Sequence, residues 1–184
     1  MPRLFTGLEI PDDVAHALSL VRGGLTGARW ITPENYHITL RFMGDIDDGI
    51  AHDIFYALQN TGRAPIPITI EGLSVFGGDK PRALVARVEP TPQIIELQAE
   101  QERLMRRMGL PPETRKFTPH VTLARLRDTS PYHVANFLGL SSHLPPMRFV
   151  ASEFLVLSSR ASTGGGPYIV EAAYPLAPDM DAMS

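Results

Sequence analysis

Two short segments carry the same pattern: His37-Ile38-Thr39-Leu40 and His120-Val121-Thr122-Leu123. On a β-strand, residues i and i+2 project from one face. Each histidine should therefore point with its threonine, while Ile38 and Val121 turn into the core. If the two segments meet, one cleft holds two imidazoles and two hydroxyls. That set suits hydrolysis of a cyclic phosphodiester. One imidazole takes a proton from water and the other, protonated, delivers one to the departing oxygen. Histidine, with an ordinary pKa of about 6.5, serves either way near neutrality. In-line displacement at phosphorus needs the two catalysts on opposite flanks. The threonine hydroxyls can donate to the non-bridging oxygens as their charge builds. The residue types do not say which histidine is acid and which is base.

Nearby cations are candidates for phosphate contact. Arg41 is four residues past His37, on the same face of a regular strand. Arg125 is five past His120, on the opposite face unless the strand end bends. Arg82 follows Pro81 at a strand start, and Arg115 and Lys116 precede Phe117. Phe76, beside Gly77-Gly78, and Tyr168, after Gly164-Gly165-Gly166, are candidates for stacking on a base, with core packing as the alternative. Trp30 is expected in the core, and His16, His52, His133 and His143 on the surface. Neither motif contains an acidic residue or second histidine to complete a zinc site, and the chain has no cysteine. No metal and no cofactor are expected.

The elements that must position these groups recur. Strands are expected at 4–10, 36–42, 66–76, 83–88, 120–126, 148–158 and 168–176, with helices from Pro11, over 46–59, over 91–108 and over 131–140. The third helix is expected to bury Ile95, Leu97, Leu104 and Met108. The order strand–helix–strand–helix–strand appears twice, over about 3–77 and 82–158. The two histidines are 83 residues apart, as 120 less 37. A unit of this size repeated once is a duplicated lobe. The expectation is one α+β domain over 1–178. Its two pseudo-symmetric lobes each hold an antiparallel sheet backed by helices, and the site lies in the groove between them. A last strand at 168–176 closes the domain, and 179–184 form a loose tail.

Bulk properties narrow the setting. The 184 residues carry a net charge of −3, with 43% apolar and 20% charged residues. A chain this long buries about 70% of its unfolded surface without staples. The absence of a basic excess argues against coating a duplex and for contact with a few nucleotides at an end. No secretory leader and no membrane span are visible, so a cytoplasmic protein is expected; a monomer is expected as well.

Tyr36-His37-Ile38-Thr39-Leu40-Arg41-Phe42-Met43-Gly44 and Phe117-Thr118-Pro119-His120-Val121-Thr122-Leu123-Ala124-Arg125 resemble the two signature segments of the two-histidine (2H) phosphoesterases. The resemblance is to the LigT-like branch, known as RNA 2′,3′-cyclic phosphodiesterases and as 2′-5′ RNA ligases. Arg3-Leu4-Phe5, Trp30, Val75-Phe76, Pro81-Arg82 and Tyr174-Pro175-Leu176 agree as well. The resemblance implies the bilobal fold and metal-free opening of an RNA 2′,3′-cyclic phosphate, such as that on a tRNA fragment, to a 2′-phosphate. It implies His37 as proton donor, His120 as proton acceptor, and Thr39 and Thr122 as phosphate ligands. Run backwards, the same chemistry would join such an end to a 5′ hydroxyl. Two other readings use the same groove: turnover of a small cyclic nucleotide, and RNA-end binding without turnover.

Overall fold

The protein is described here from a computed structural model covering residues 3–61, 63–141, 144–159 and 167–177. The tail after Pro178, the triple glycine and His143 lie outside the described residues. Among the described residues, nine strands and four α-helices run in the order β1 (Arg3–Glu9), α1 (Asp12–Ser19), β2 (Ala28–Trp30), β3 (His37–Asp45), α2 (Asp48–Leu58), β4 (Ile66–Phe76), β5 (Ala83–Val88), α3 (Pro92–Arg107), β6 (His120–Leu126), α4 (Pro131–Ser141), β7 (Met147–Ala151), β8 (Glu153–Ser159) and β9 (Tyr168–Pro175). A short 3₁₀ turn, Pro33–Asn35, precedes β3. Asp47 caps α2 by accepting from Gly49 and Ile50 N–H, and Thr91 caps α3 by accepting from Ile94 N–H.

All strand pairs are antiparallel, in the order β7-β4-β5-β6-β3-β1-β8-β9, with β2 added beside β6. The two halves meet at one pair, Ile38 opposite Val121. Each half pairs the first two strands of one repeat, β1 with β3 and β5 with β6. The last strand of each repeat then crosses over: β4 pairs with β5, and β8 with β1. Two repeats that exchange an edge strand cannot part without breaking sheet hydrogen bonds.

The expected single strand over 148–158 is two strands. It breaks at Ser152, where the chain leaves the β4 edge and joins β1 on the other half. The exposed and buried alternation of β7 changes there to the continuously buried run Phe154–Leu157, as an edge strand gives way to one covered on both faces. On α3 the buried residues are Ile94, Leu97, Gln101, Leu104 and Met105; Ile95 and Met108, expected inside, lie at the margin of that stripe.

The main core lies between the sheet and the helices, and includes Leu8, Ile38, Leu84, Ile94, Leu97 and Val121. A smaller apolar cluster of Phe5, Leu155 and Leu157, with Tyr168 against it, packs separately.

Arg41 shows how a bulge reassigns a side chain. Thr6 pairs with Arg41 and Gly7 with Thr39, leaving Leu40 as an extra residue in β3. The parity flips there, so Arg41 leaves the face of His37 and Thr39. It is buried on the helix side, paired with Glu102 of α3 and donating to the Phe42 and Pro111 carbonyls. Burial alone would raise the Glu102 carboxyl, but Arg41, the Glu113 N–H and Arg106 outweigh it and hold the group below its usual range. Removing Arg41 strands this carboxylate. R41M is expected to cost about 3–5 kcal/mol of stability, measured by denaturant unfolding. A loss under about 1 kcal/mol would mean that Arg106 and solvent suffice for Glu102.

Candidate active site

The bridge that joins the halves also builds the site. Ile38 and Val121 are completely buried, and residues flanking them must project from the other face of the sheet. Those residues are His37, Thr39, His120 and Thr122. The register sets His37 towards Thr122 and Thr39 towards His120, so the four polar groups form a square about the pseudo-two-fold axis. All four are half-buried: walled, yet open to a ligand.

Both imidazoles are oriented by the same device. His37 Nδ1 lies 2.9 Å from the Asn35 carbonyl, and His120 Nδ1 lies 2.7 Å from the Thr118 carbonyl. A carbonyl only accepts, so each Nδ1 carries the hydrogen and each Nε2 is the working nitrogen. His37 Nε2 is 2.9 Å from Thr39 Oγ1. Aromatic rings fix the imidazole planes further. Tyr168 meets His37 edge to face at 4.8 Å with Phe5 at 4.9 Å, and Phe76 meets His120 edge to face at 4.7 Å. Beneath His37, β1 comes so close that a Cβ on Gly7 would stand 2.8 Å from the Ile38 carbonyl oxygen.

Burial pushes the His37 imidazole down to about 4, against the opposing pull of the Asn35 carbonyl; His120 and Arg125 add positive charge that pushes the same way. Burial also lowers His120, with the Thr118 carbonyl opposing and Arg125 reinforcing. Both shifts favour the neutral imidazole near pH 7. An anion placed between them would favour protonating one of them.

Arg125 reaches this groove because β6 carries the matching bulge. Leu84 pairs with Ala124 and Val85 with Thr122, leaving Leu123 extra. The parity flip returns Arg125 to the face of His120 and Thr122, where it is exposed. Arg82 lies elsewhere: its carbonyl accepts from Leu126 N–H, giving it the parity of buried Leu84, and its side chain is exposed at the strand's start. Arg115 pairs with Glu113 at 3.1 Å. Trp30, half-buried, packs on Phe137 against the core, centroids 6.0 Å apart. His16, His52 and His133 are exposed. Among the described residues no cluster of three or more histidines and acids stands ready to hold a metal, and no helix is long and apolar enough to cross a membrane.

Sequence reasoning did not single out Asn35, Thr118, Phe5, Gly7 or Phe42, which stacks on Phe5 with ring centroids 6.3 Å apart, as parts of this site. The 83-residue offset carries the signal for three of them. It relates Asn35 to Thr118 and Phe42 to Arg125, just as it relates His37 to His120.

The family described as LigT like Phosphoesterase matches the chain twice, over residues 8–86 and 85–168. The chain belongs to the LigT-like phosphoesterases. The two matches divide the chain at β5, where the second repeat begins, and each contains one His-x-Thr. The RNA 2′,3′-cyclic phosphodiesterase of Aeropyrum pernix is 35% identical over 123 residues, which is 65% of this chain and 65%, just under two thirds, of that protein. The protein of that name from Thermotoga maritima is 27% identical over 178 residues, covering 91% of this chain and 92% of its own. The crystal structure of E. coli LigT complexed with 3′-AMP superposes with a TM-score of 0.75 at 19% identity, over 97% of this chain and all (100%) of that one, and shows the LigT-like fold.

Proposed function

We propose that this LigT-like phosphoesterase opens the 2′,3′-cyclic phosphate at the end of an RNA strand and leaves a 2′-phosphate. The observation that carries the reading is the pair of Nδ1–H···O=C bonds, which aim one Nε2 from each half at the space over the Ile38–Val121 bridge. Relatives named for this activity support the RNA cyclic end as substrate.

Water attacks phosphorus while His120 Nε2 takes its proton. The P–O3′ bond breaks and His37 Nε2–H protonates the leaving O3′. The new P–O bond replaces the one lost, and one proton has passed to His120 and one from His37. Thr39, Thr122 and Arg125 face the non-bridging oxygens. Phe76 and Tyr168 limit water around the imidazoles and offer ring edges to the nucleoside. The acid and base assignment follows the family pattern, since the geometry is nearly symmetric. By microscopic reversal the same groups would join a cyclic end to a 5′ hydroxyl.

The test is a short RNA with a defined 2′,3′-cyclic end, incubated in excess chelator. The expected product carries a 2′-phosphate alone. A 3′-phosphate product, no turnover, or turnover only on adding metal would overturn the reading.

A further inference from the structure

The two halves repeat their backbone but not their charge. Position 42 is Phe where its counterpart 125 is Arg, and the residue paired across from each histidine is Glu9 beside His37 but Arg87 beside His120. The half that carries His120 is therefore the cationic side of the groove.

Among the described residues, one element on that side has no counterpart in the other half. Strand β2 pairs only with β6, setting Ala28 opposite Leu126, Arg29 opposite Arg125 and Trp30 opposite Ala124. Ala28 and Trp30 pack against the core, so Arg29 projects from the opposite face, which is the face of His120, Thr122 and Arg125. Directly opposed residues of an antiparallel pair have Cβ atoms about 5 Å apart, and like charges there repel. Both arginines are exposed, and neither forms an ion pair among the described residues. Two guanidinium groups on one face without an acid are arranged for an anion. Arg125 adds positive charge that both histidines feel. Arg29, opposite Arg125 on the same edge of β6 as the Ile38–Val121 bridge, stands farther along that edge than Thr122 does.

We propose that Arg29 is a second phosphate subsite, holding the phosphodiester on the 5′ side of the nucleotide that bears the cyclic end. This rests on the phosphodiesterase reading and makes it more specific: the enzyme reads a phosphate-linked strand, and a nucleoside cyclic phosphate fills only half of its cationic surface. A nucleoside 2′,3′-cyclic phosphate offers Arg29 nothing, whereas a dinucleotide with a cyclic end, or a 5′-phosphorylated nucleoside cyclic phosphate, offers it a charge.

The experiment compares wild type, R29Q and R29K on those three compounds. R29Q is expected to lower kcat/KM about tenfold on the two that carry a 5′-side phosphate, mainly through KM, and by no more than about twofold on the nucleoside cyclic phosphate. R29K should restore much of the loss. For the dinucleotide, the slope of log(kcat/KM) against log[salt] should become shallower by about 0.7 in R29Q, one phosphate contact fewer. Equal ratios on all three compounds, or no effect on any, overturn the subsite while leaving the phosphodiesterase reading intact. Absence of turnover by wild type on every compound overturns the phosphodiesterase reading itself.

Discussion

H37A and H120A are each expected to reduce kcat on a cyclic-ended RNA by about 10²–10⁴-fold without loss of fold. Both side chains stand on the groove face above a core that neither enters, so truncation opens no cavity beneath the sheet. The double variant should be little worse than either single one, because acid and base act in one transition state and removing either disables the step. The pH profile assigns the roles. Loss of the acid removes the alkaline limb, and loss of the base removes the acidic limb. With His37 as acid, H37A flattens the alkaline side and H120A the acidic side. The depressed His37 pKa, about 4 in the free protein, adds a second expectation. The profile of kcat/KM, which reports the free enzyme, should decline at lower pH than that of kcat, which reports the complex with the phosphate in place. Either variant retaining more than a tenth of wild-type kcat would remove the two-histidine mechanism.

The repeat was legible in the sequence because it is written in local patterns. His-x-Thr alternation gives a strand face, and Pro11 and Pro92 mark helix starts. Two such motifs also require one shared face, which the Ile38–Val121 bridge provides. What was hidden are the register shifts. On a regular strand, i+4 puts Arg41 in the groove, and i+5 leaves Arg125 outside it unless the strand end bends; one extra residue at Leu40 takes Arg41 out, and one at Leu123 brings Arg125 in. A bulge is set by pairing with a neighbouring strand, so its position does not show in one strand read alone. Strand exchange was hidden for the same reason. The Ser152 break is a choice between two sheet edges, and an alternating or apolar run looks the same on either. Arg29 escaped notice because three residues, Ala28–Trp30, are too few to show a period, and only pairing with β6 gives its side chain a direction.

R125Q is expected to lower kcat/KM by about 10²-fold on every cyclic phosphate substrate, whatever lies on its 5′ side. A charge-assisted hydrogen bond contributes about 1.5–3 kcal/mol, or roughly 10–150-fold. The same guanidinium disfavours protonation of both imidazoles, so its removal has a second effect of known sign. With one positive charge gone, imidazolium forms more easily at each histidine, both pKa values rise, and the kcat/KM optimum moves to higher pH. Burial remains the larger cause of both depressions, so that movement is modest beside the loss of rate. R125K separates the two effects: it keeps the charge, and with it the pH optimum, but loses the fork that can grip two oxygens at once. A rate loss in R125Q with no movement of the optimum would mean that the guanidinium binds phosphate too far from the imidazoles to set their titration. Movement of the optimum without loss of rate would mean that it tunes the histidines and does not touch the substrate. Both effects together, and on all substrates alike, are what an arginine two pleats from Thr122 must produce if the reacting phosphorus sits over the bridge between the halves.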